Sequence, residues 1–263
     1  MLLLFLLFLN SLHEIKSSKL PNFIQPCPNM LGEEDRLNDC LLSQTKTVVN
    51  TLKDGSNELE IPPLDPLQLD LLHLSLHDDF IFSLHNLTIS GLSDCSFMRL
   101  KINNTENNLQ MSIHFKKITI VGYYKLLGFL FVAQVNSSGY TSMVFGEKNR
   151  FYFLIFNFCV LDDVILNVKM PMSTIQRDSI PYLLLPRAFD AGITFSGVSV
   201  EFENLFPSEP VLGTIVNKFI NDNFDDLFQV MRPGVLDVLK HNLHKLFFKL
   251  LAFVPVDEIF KMK

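Results

Sequence analysis

No apolar run in this 263-residue chain reaches the roughly twenty residues that a membrane helix needs. Residues 126–135 and 151–160 are short and carry Gln or Asn, and residues 243–256 are interrupted by Lys245 and Lys249. That excludes a stable helical span. An excess of basic charge is also missing: 22 Lys and Arg stand against 28 Asp and Glu, for a net charge of -6, and no basic stripe occurs. Nucleic acid and anionic membrane surfaces are therefore excluded as electrostatic partners. The chain has no Gly-x-Ser-x-Gly elbow, phosphate loop or Cys-x-x-Cys pair, so the common catalytic motifs are absent. His73 and His77 precede Asp78 and Asp79, and His241 and His244 form a helical pair, but spacing offers no third zinc ligand. No metal, no cofactor and no enzymatic activity are expected. Tryptophan is wholly absent, and no Pro/Gly/Ser-rich linker or internal repeat marks a domain boundary.

What the chain does have is apolar surface. Hydrophobic residues make up 48% of it, mean hydropathy is +0.25, and 25 residues are Phe. In a chain without a membrane span this surplus must face something, and an apolar compartment inside the fold is the expected destination. Residues 1–9 are apolar and are followed by the small residues Ser17 and Ser18, which reads as a secretory leader over residues 1–18. Residues 19–263 are then a single domain. Three acceptor triplets, at Asn86, Asn103 and Asn136, suit N-glycosylation of an exported chain and fall among turn-forming polar residues. Export also permits disulfides. Cys27, Cys40, Cys95 and Cys159 allow three connectivities; a local Cys27–Cys40 loop is the most economical, and Cys95 and Cys159 either pair or stay as buried thiols.

The period of the apolar residues changes twice. Residues 33–53 repeat at helical spacing, with Leu37, Cys40, Leu41, Val48 and Leu52 on one face and Gly55 just past the end. Pro62, Pro63 and Pro66 follow as an extended crossing. From residue 67 to about 200 the period is two, with strands expected at 81–89, 109–115, 129–135, 151–160 and 164–170 and a bulge-like switch between Leu71 and Leu72. Short connections make the sheet largely antiparallel. Helical spacing returns at residue 210, with Ser208 as the expected cap and Pro210 in the first turn. Leu212, Ile215, Val216, Phe219, Ile220, Phe224, Leu227, Phe228, Val230 and Met231 are expected on a broad apolar face, and Asn217, Lys218, Asn221, Asp222, Asp225, Gln229 and Arg232 in one narrow polar stripe. Pro233 is expected to kink or break this helix, whose pattern resumes from Val235 to Leu250. A helix of that length predicts an elongated fold.

Several short motifs give these elements a family likeness. They are Pro26-Cys27, Leu37-Asn38 with Cys40-Leu41, Ile61-Pro62, Leu64-Asp65-Pro66-Leu67, Gly91-Leu92, Tyr124 with Gly128, Phe202 with Asn204-Leu205-Phe206, Phe219-Ile220-Asn221, and Val254-Pro255. In this order and spacing the chain resembles the insect juvenile-hormone-binding and takeout family of secreted lipid carriers over nearly all of its mature length. It departs from the family at Pro207-Ser208, where a glycine is usual, and at Asn136-Ser137-Ser138, which replaces a glycine-rich turn. The resemblance implies an α+β fold in which a strongly curved antiparallel sheet wraps a long C-terminal helix around an apolar tunnel. It also implies a Cys27–Cys40 disulfide. The candidate lining residues are Leu37, Leu41 and Val48 on the first helix, and Leu212, Val216, Phe219, Ile220 and Leu227 on the C-terminal one. The implied function is a monomeric, non-enzymatic carrier in haemolymph or in a sensory or epithelial secretion, with a small hydrophobic ligand. A surface-active protein that adsorbs to membranes or lipid particles is the alternative.

Overall fold

The structure, a computed structural model, describes residues 19–28, 34–77, 80–103, 106–130, 133–145, 164–184 and 186–261. Where the sequence repeats at helical spacing the chain is helical: α1 spans Glu34–Leu52, α2 Pro210–Asp222, α3 Phe224–Leu251 and α4 Val256–Ile259. Between α1 and α2 the alternating region gives β2 (Leu67–His77), β3 (Phe80–Ser90), β4 (Cys95–Asn103), β5 (Asn108–Phe115), β6 (Ile118–Leu130), β7 (Ala133–Phe145), β8 (Val164–Pro171), β9 (Ser173–Arg177), β10 (Ile180–Leu184), β11 (Asp190–Phe195) and β12 (Val198–Phe202). The short strands β1 (Cys27–Pro28) and β13 (Phe260–Lys261) pair in parallel and bring the two ends of the described chain together. Cys27 is bonded to Cys40 with an S–S distance of 2.02 Å, which fixes β1 to α1. No helix among the described residues is long and apolar enough to cross a membrane.

The fold is α+β, but the one curved sheet expected from the resemblance is divided. Among the described residues the large sheets are a five-stranded one, ordered β12-β7-β6-β3-β2, and a four-stranded one, ordered β11-β8-β5-β4. Every pairing within them is antiparallel. The chain passes between the sheets four times, from β3 to β4, β5 to β6, β7 to β8 and β11 to β12, so neither sheet forms as a purely local unit. The switch read at Leu71 and Leu72 is present: Leu69 and Leu72 pack inward while Leu71 is exposed. The bulge behind it lies in the neighbouring strand, where β3 shifts register against β6 between His85 and Thr88 and Asn86 adopts φ 50°.

Several local expectations are corrected. Residues 129–135 are two strands meeting, since Leu130 closes β6 and pairs with Ala133, the first residue of β7. The strand expected at 151–160 lies outside the described residues. Glu209, not Ser208, occupies the N-cap of α2, and it makes no side-chain cap hydrogen bond. Pro233 does not end its helix: it sits inside α3 as an exposed residue, as does Gln229, whose carbonyl a proline four residues on has no N–H to meet. The interruption falls at Asn223, whose amide Nδ2 donates to the Phe219 carbonyl oxygen at 2.9 Å. Together α2 and α3 cover residues 210–251, about 60 Å of helix at 1.5 Å per residue. Asn86 and Asn136 are on strands rather than in turns, Asn136 opposite Leu127, while Asn103 ends β4.

The motifs that carry the likeness hold these elements to one another. The Asp65 carboxylate accepts hydrogen bonds from the Gly91 and Ser93 amides at 3.0 and 2.9 Å and from the Ser93 hydroxyl at 2.6 Å. Burial would raise its pKa, but these bonds, with help from Lys53, outweigh it and hold the carboxyl below its ordinary value. Gly91 has φ 98°, and a Cβ there would meet the Lys117 carbonyl oxygen at 2.2 Å, so only glycine fits. Tyr124 is fully buried, packs edge-on against Phe202 at 4.9 Å, and donates its hydroxyl to the Glu203 carbonyl at 2.7 Å.

At the free edge of the five-stranded sheet, α2 replaces the missing neighbour strand. Asn217 accepts from the Phe202 amide and donates to the Phe202 carbonyl, both at 2.9 Å. Asn221 makes the same pair with Val200, both at 2.7 Å. The match is geometric: four helical residues rise about 6 Å and two strand residues about 6.6 Å, so side chains at i and i+4 meet alternate rungs of an edge strand. The stripe read as uniformly polar is therefore divided. Asn217 and Asn221 face the sheet edge, while Lys218 and Asp222 pair outside at 3.4 Å.

Candidate functional site: an incompletely filled apolar seam

Two apolar clusters meet along α3. The first joins Leu84, Tyr124, Leu126, Val135, Met143, Val200 and Phe202 of the five-stranded sheet to Ile220, Phe224 and Phe228. The second joins Met111, Ile113, Val164, Leu166 and Val168 of the four-stranded sheet to Leu41 and Leu42 of α1 and to Leu239, Leu243 and Phe247. Ile120, Phe145, Ile193 and Phe195 touch both. Phe195 lies at the crossing, with ring centroids 5.3 Å from Phe145, 6.0 Å from Phe224 and 4.9 Å from Phe228. Edge-to-face contacts of this kind hold each ring at a fixed angle.

The sequence of α3 explains how one helix serves both clusters. Leu227, Met231, Val235, Leu239, Leu243 and Phe247 recur every four residues. At 100° per residue such a row drifts by 40° per step, so it winds around the helix. Its first three members pack against the first cluster and its last three against the second. All six remain only half-buried although they face packed clusters, as do Ile120, Phe145, Ile193 and Phe195 opposite them. Protein interiors otherwise pack to crystal-like density, so the partial exposure of these ten side chains marks apolar surface that their neighbours do not fully cover.

None of these ten side chains is ionisable. Tyr124 is the nearest titrating group in the first cluster, and burial pushes its phenol up. Cys95, a free and half-buried thiol beside the second cluster, is likewise raised by burial and so is a poor nucleophile; Cys159 lies outside the described residues. No group of three or more His, Cys, Asp or Glu among the described residues is arranged to hold a metal. A groove of about 340 Å³ on the four-stranded sheet is lined by Arg99, Gln110, Ser112, Asn167, Lys169 and Asp190 with Met111, Val168, Ala191 and Gly192 between them, and it is open to solvent rather than enclosed.

The eight candidate lining residues scatter around the seam. Leu227 is in it, and Val216 and Ile220 pack on the first cluster beside it. Leu41 bridges the second cluster to a third one near the disulfide, where Leu37 is buried against Cys27, Val254 and Phe260. Val48 packs with Leu52, Ile61 and Leu250 at the far end of α1. Leu212 is half-buried in the first turn of α2, and Phe219 is 40% exposed. The seam residues outside those eight are Met231, Val235, Leu239, Leu243 and Phe247, which the sequence places on the apolar face of the helix but not in the lining, and the strand residues Ile120, Phe145, Ile193 and Phe195, which only the sheet pairings bring together.

The profile of a family described as haemolymph juvenile hormone binding protein matches residues 2–149 and 157–261. No curated protein matches the chain. Among solved structures, the crystal structure of Epiphyas postvittana Takeout 1 superposes with a TM-score of 0.68 at 17% identity, covering 91% of this chain and 100% of that one. That match carries the fold, an antiparallel α+β scaffold around a long C-terminal helix. With the profile extending over almost the whole sequence, the chain belongs to the haemolymph juvenile hormone binding protein family.

Proposed function

We propose that this protein is a secreted, monomeric carrier that sequesters a small or chain-like hydrophobic molecule in the seam along α3. The observation that carries the reading is the row from Leu227 to Phe247, six apolar side chains held between two sheets without being fully covered. Membership of a family named for binding juvenile hormone supports the same conclusion. A terpenoid of that kind, a fatty acid or another lipid suits the lining, with Val216, Ile220 and Leu227 at one end and Leu41 at the other. The role is non-enzymatic. N-glycans at Asn86, Asn103 or Asn136 accompany secretion in this proposal, and a fall in apparent mass on glycosidase treatment of the secreted protein checks them.

Binding of this kind rests on burial, at about 25 cal/mol per Å² removed from water. A chain burying roughly 300 Å² gains about 7 kcal/mol before entropy losses, which reaches the micromolar range. A series of linear alcohols titrated against a displaceable neutral fluorophore should therefore bind more tightly as the chain lengthens, with the ranking unchanged by salt. Flat affinity across the series refutes the carrier. A second reading, adsorption to neutral lipid surfaces, is favoured by Val211 and Ile215, which are 75% and 59% exposed on α2. Flotation with zwitterionic liposomes separates the two, because a carrier stays in solution.

A further inference from the structure

We infer that the innermost N-acetylglucosamine of a glycan on Asn136 packs against Leu127 and Ile81 and covers an apolar row on the outer face of the five-stranded sheet. The inference rests on the secreted part of the proposed function and deepens it by giving one glycan a structural role. Side chains alternate along the three strands concerned. Phe82, Leu126, Val135 and Ser137 are buried, whereas Ile81, Leu127, Asn136 and Ser138 are exposed. Register sets three of the exposed residues in line: Ile81 of β3 pairs with Leu127 of β6, and Leu127 pairs with Asn136 of β7. Directly opposed side chains on one face have Cβ atoms about 5 Å apart. Asn136 therefore stands beside two large aliphatic side chains that remain 40% and 37% exposed.

The acceptor and the row suit each other chemically. The Asn136 amide has no side-chain hydrogen bond among the described residues, so its Nδ2 is open to modification. Ser138, which completes the acceptor triplet, is exposed on the same strand face. A pyranose linked at Nδ2 carries its hydroxyls around the rim of the ring and C–H groups on its faces. One face can lie on Leu127 and Ile81 while the rim stays in water, which removes an aliphatic pair from solvent and leaves a polar surface in its place. The other two acceptors lack this setting. Asn86 falls in the bulge of β3, where it has no partner on β6. Asn103 pairs with Asn108, and its Oδ1 accepts the Glu106 amide at 3.1 Å. Only at Asn136 do an acceptor and an exposed aliphatic pair share one row.

The test expresses the full chain in cells that add N-glycans, maps occupancy by glycopeptide mass spectrometry, and compares thermal unfolding of three forms. These are the intact glycoprotein, the same protein trimmed enzymatically to one N-acetylglucosamine per site, and Asn136→Gln. Asn136 should be occupied. Trimming should leave Tm within about 1 °C of the intact form, whereas Asn136→Gln should lower it by about 3 °C or more. In a Leu127→Ser background at least about half of that difference should vanish, as coupling between the sugar and Leu127 requires. Complete enzymatic removal from folded wild type supplies the same comparison where Asn136→Gln is not secreted. An unoccupied Asn136 in a chain glycosylated at Asn86 or Asn103 overturns the inference and leaves secretion standing. So does an Asn136→Gln that melts with wild type, a loss unchanged by Leu127→Ser, or a loss that trimming alone produces. Sedimentation that finds the glycoprotein dimeric, and monomeric in Leu127→Ser, assigns the row to a second copy and also overturns it. If the chain is not secreted and carries no glycan at any site, the secreted reading itself fails and takes this one with it.

Discussion

Replacing Asn221 with Ala tests the substitute strand that α2 provides. The side chain makes three hydrogen bonds, to the Val200 amide and carbonyl at 2.7 Å each and from Nδ2 to the Asn217 carbonyl at 2.8 Å. Net contributions of about 1 kcal/mol per bond give about 3 kcal/mol. Val200 is only 3% exposed, so water reaches its freed N–H and C=O poorly, and the loss should not fall below about 2 kcal/mol. For a domain of this size 1 kcal/mol moves Tm by roughly 2–4 °C, so a loss of about 2–3 kcal/mol should shift thermal unfolding down by roughly 4–12 °C. Asn242→Ala is the control, because Asn242 bonds only the Val238 carbonyl of its own helix, and its shift should be within about 2 °C. A double variant of Asn217 and Asn221 should in addition expose two rungs of β12 to pairing with another molecule, and light scattering should detect association. If Asn221→Ala melts within error of Asn242→Ala, the asparagine pairs do not hold α2 to the sheet and the reasoning is wrong.

Asp65→Asn should lower stability at pH 7 by about 1–2 kcal/mol, because the amide keeps one acceptor but turns a donor toward either the Gly91 or the Ser93 amide, which bond different carboxylate oxygens. The folded carboxyl is held below its unfolded value, so its stabilisation is complete above about pH 4 and fades as the pH falls through the folded value; Tm measured against pH should show the wild-type advantage shrinking on acidification, and a gap that widens in acid counts against the bonding described. Cys40→Ala opens a loop of 13 residues and should lower Tm by several degrees, from a loss of about 2–4 kcal/mol; peptide mapping under non-reducing conditions should find Cys27 joined to Cys40 in wild type.

Element type was legible where the apolar period ran unbroken for several turns or strands, as in α1 and β8. Boundaries failed where the residue that punctuates the chain has no distinctive type. The β6–β7 junction is apolar on both sides, so nothing in Phe129, Leu130 and Ala133 announces that the strand reverses. Pro233 misleads in the other direction. Its cost is one hydrogen bond and a steric clash, and on the exposed side of a long helix water can meet the orphaned carbonyl, so packing along the remaining turns overrides the local penalty. Asn223 interrupts instead, through a side chain that bonds the backbone of the preceding turn. Asn217 and Asn221 show the same limit from another side. A polar residue on an amphipathic helix is normally turned to water, and only the presence of an unpaired strand edge within reach reverses that preference.

The proposed site was expected as a property and not as a list of residues. Surplus apolar surface pointed to an internal compartment, and the side chains proposed to line it depend on pairings between strands far apart in the chain: Ile120, Phe145, Ile193 and Phe195 come together from four strands in two sheets. The residues that carry the family likeness are of a different kind. Asp65 bonds Gly91, Tyr124 bonds the carbonyl beside Asn204 and Leu205, and Asn221 holds β12; each fixes one element against another, and none of them is a seam residue. A likeness built on such positions specifies the scaffold. The seam itself is made of Leu, Ile, Val, Met and Phe, which exchange for one another at small cost when volume is kept, so in the proposed carrier one scaffold serves different apolar ligands by exchange of lining residues.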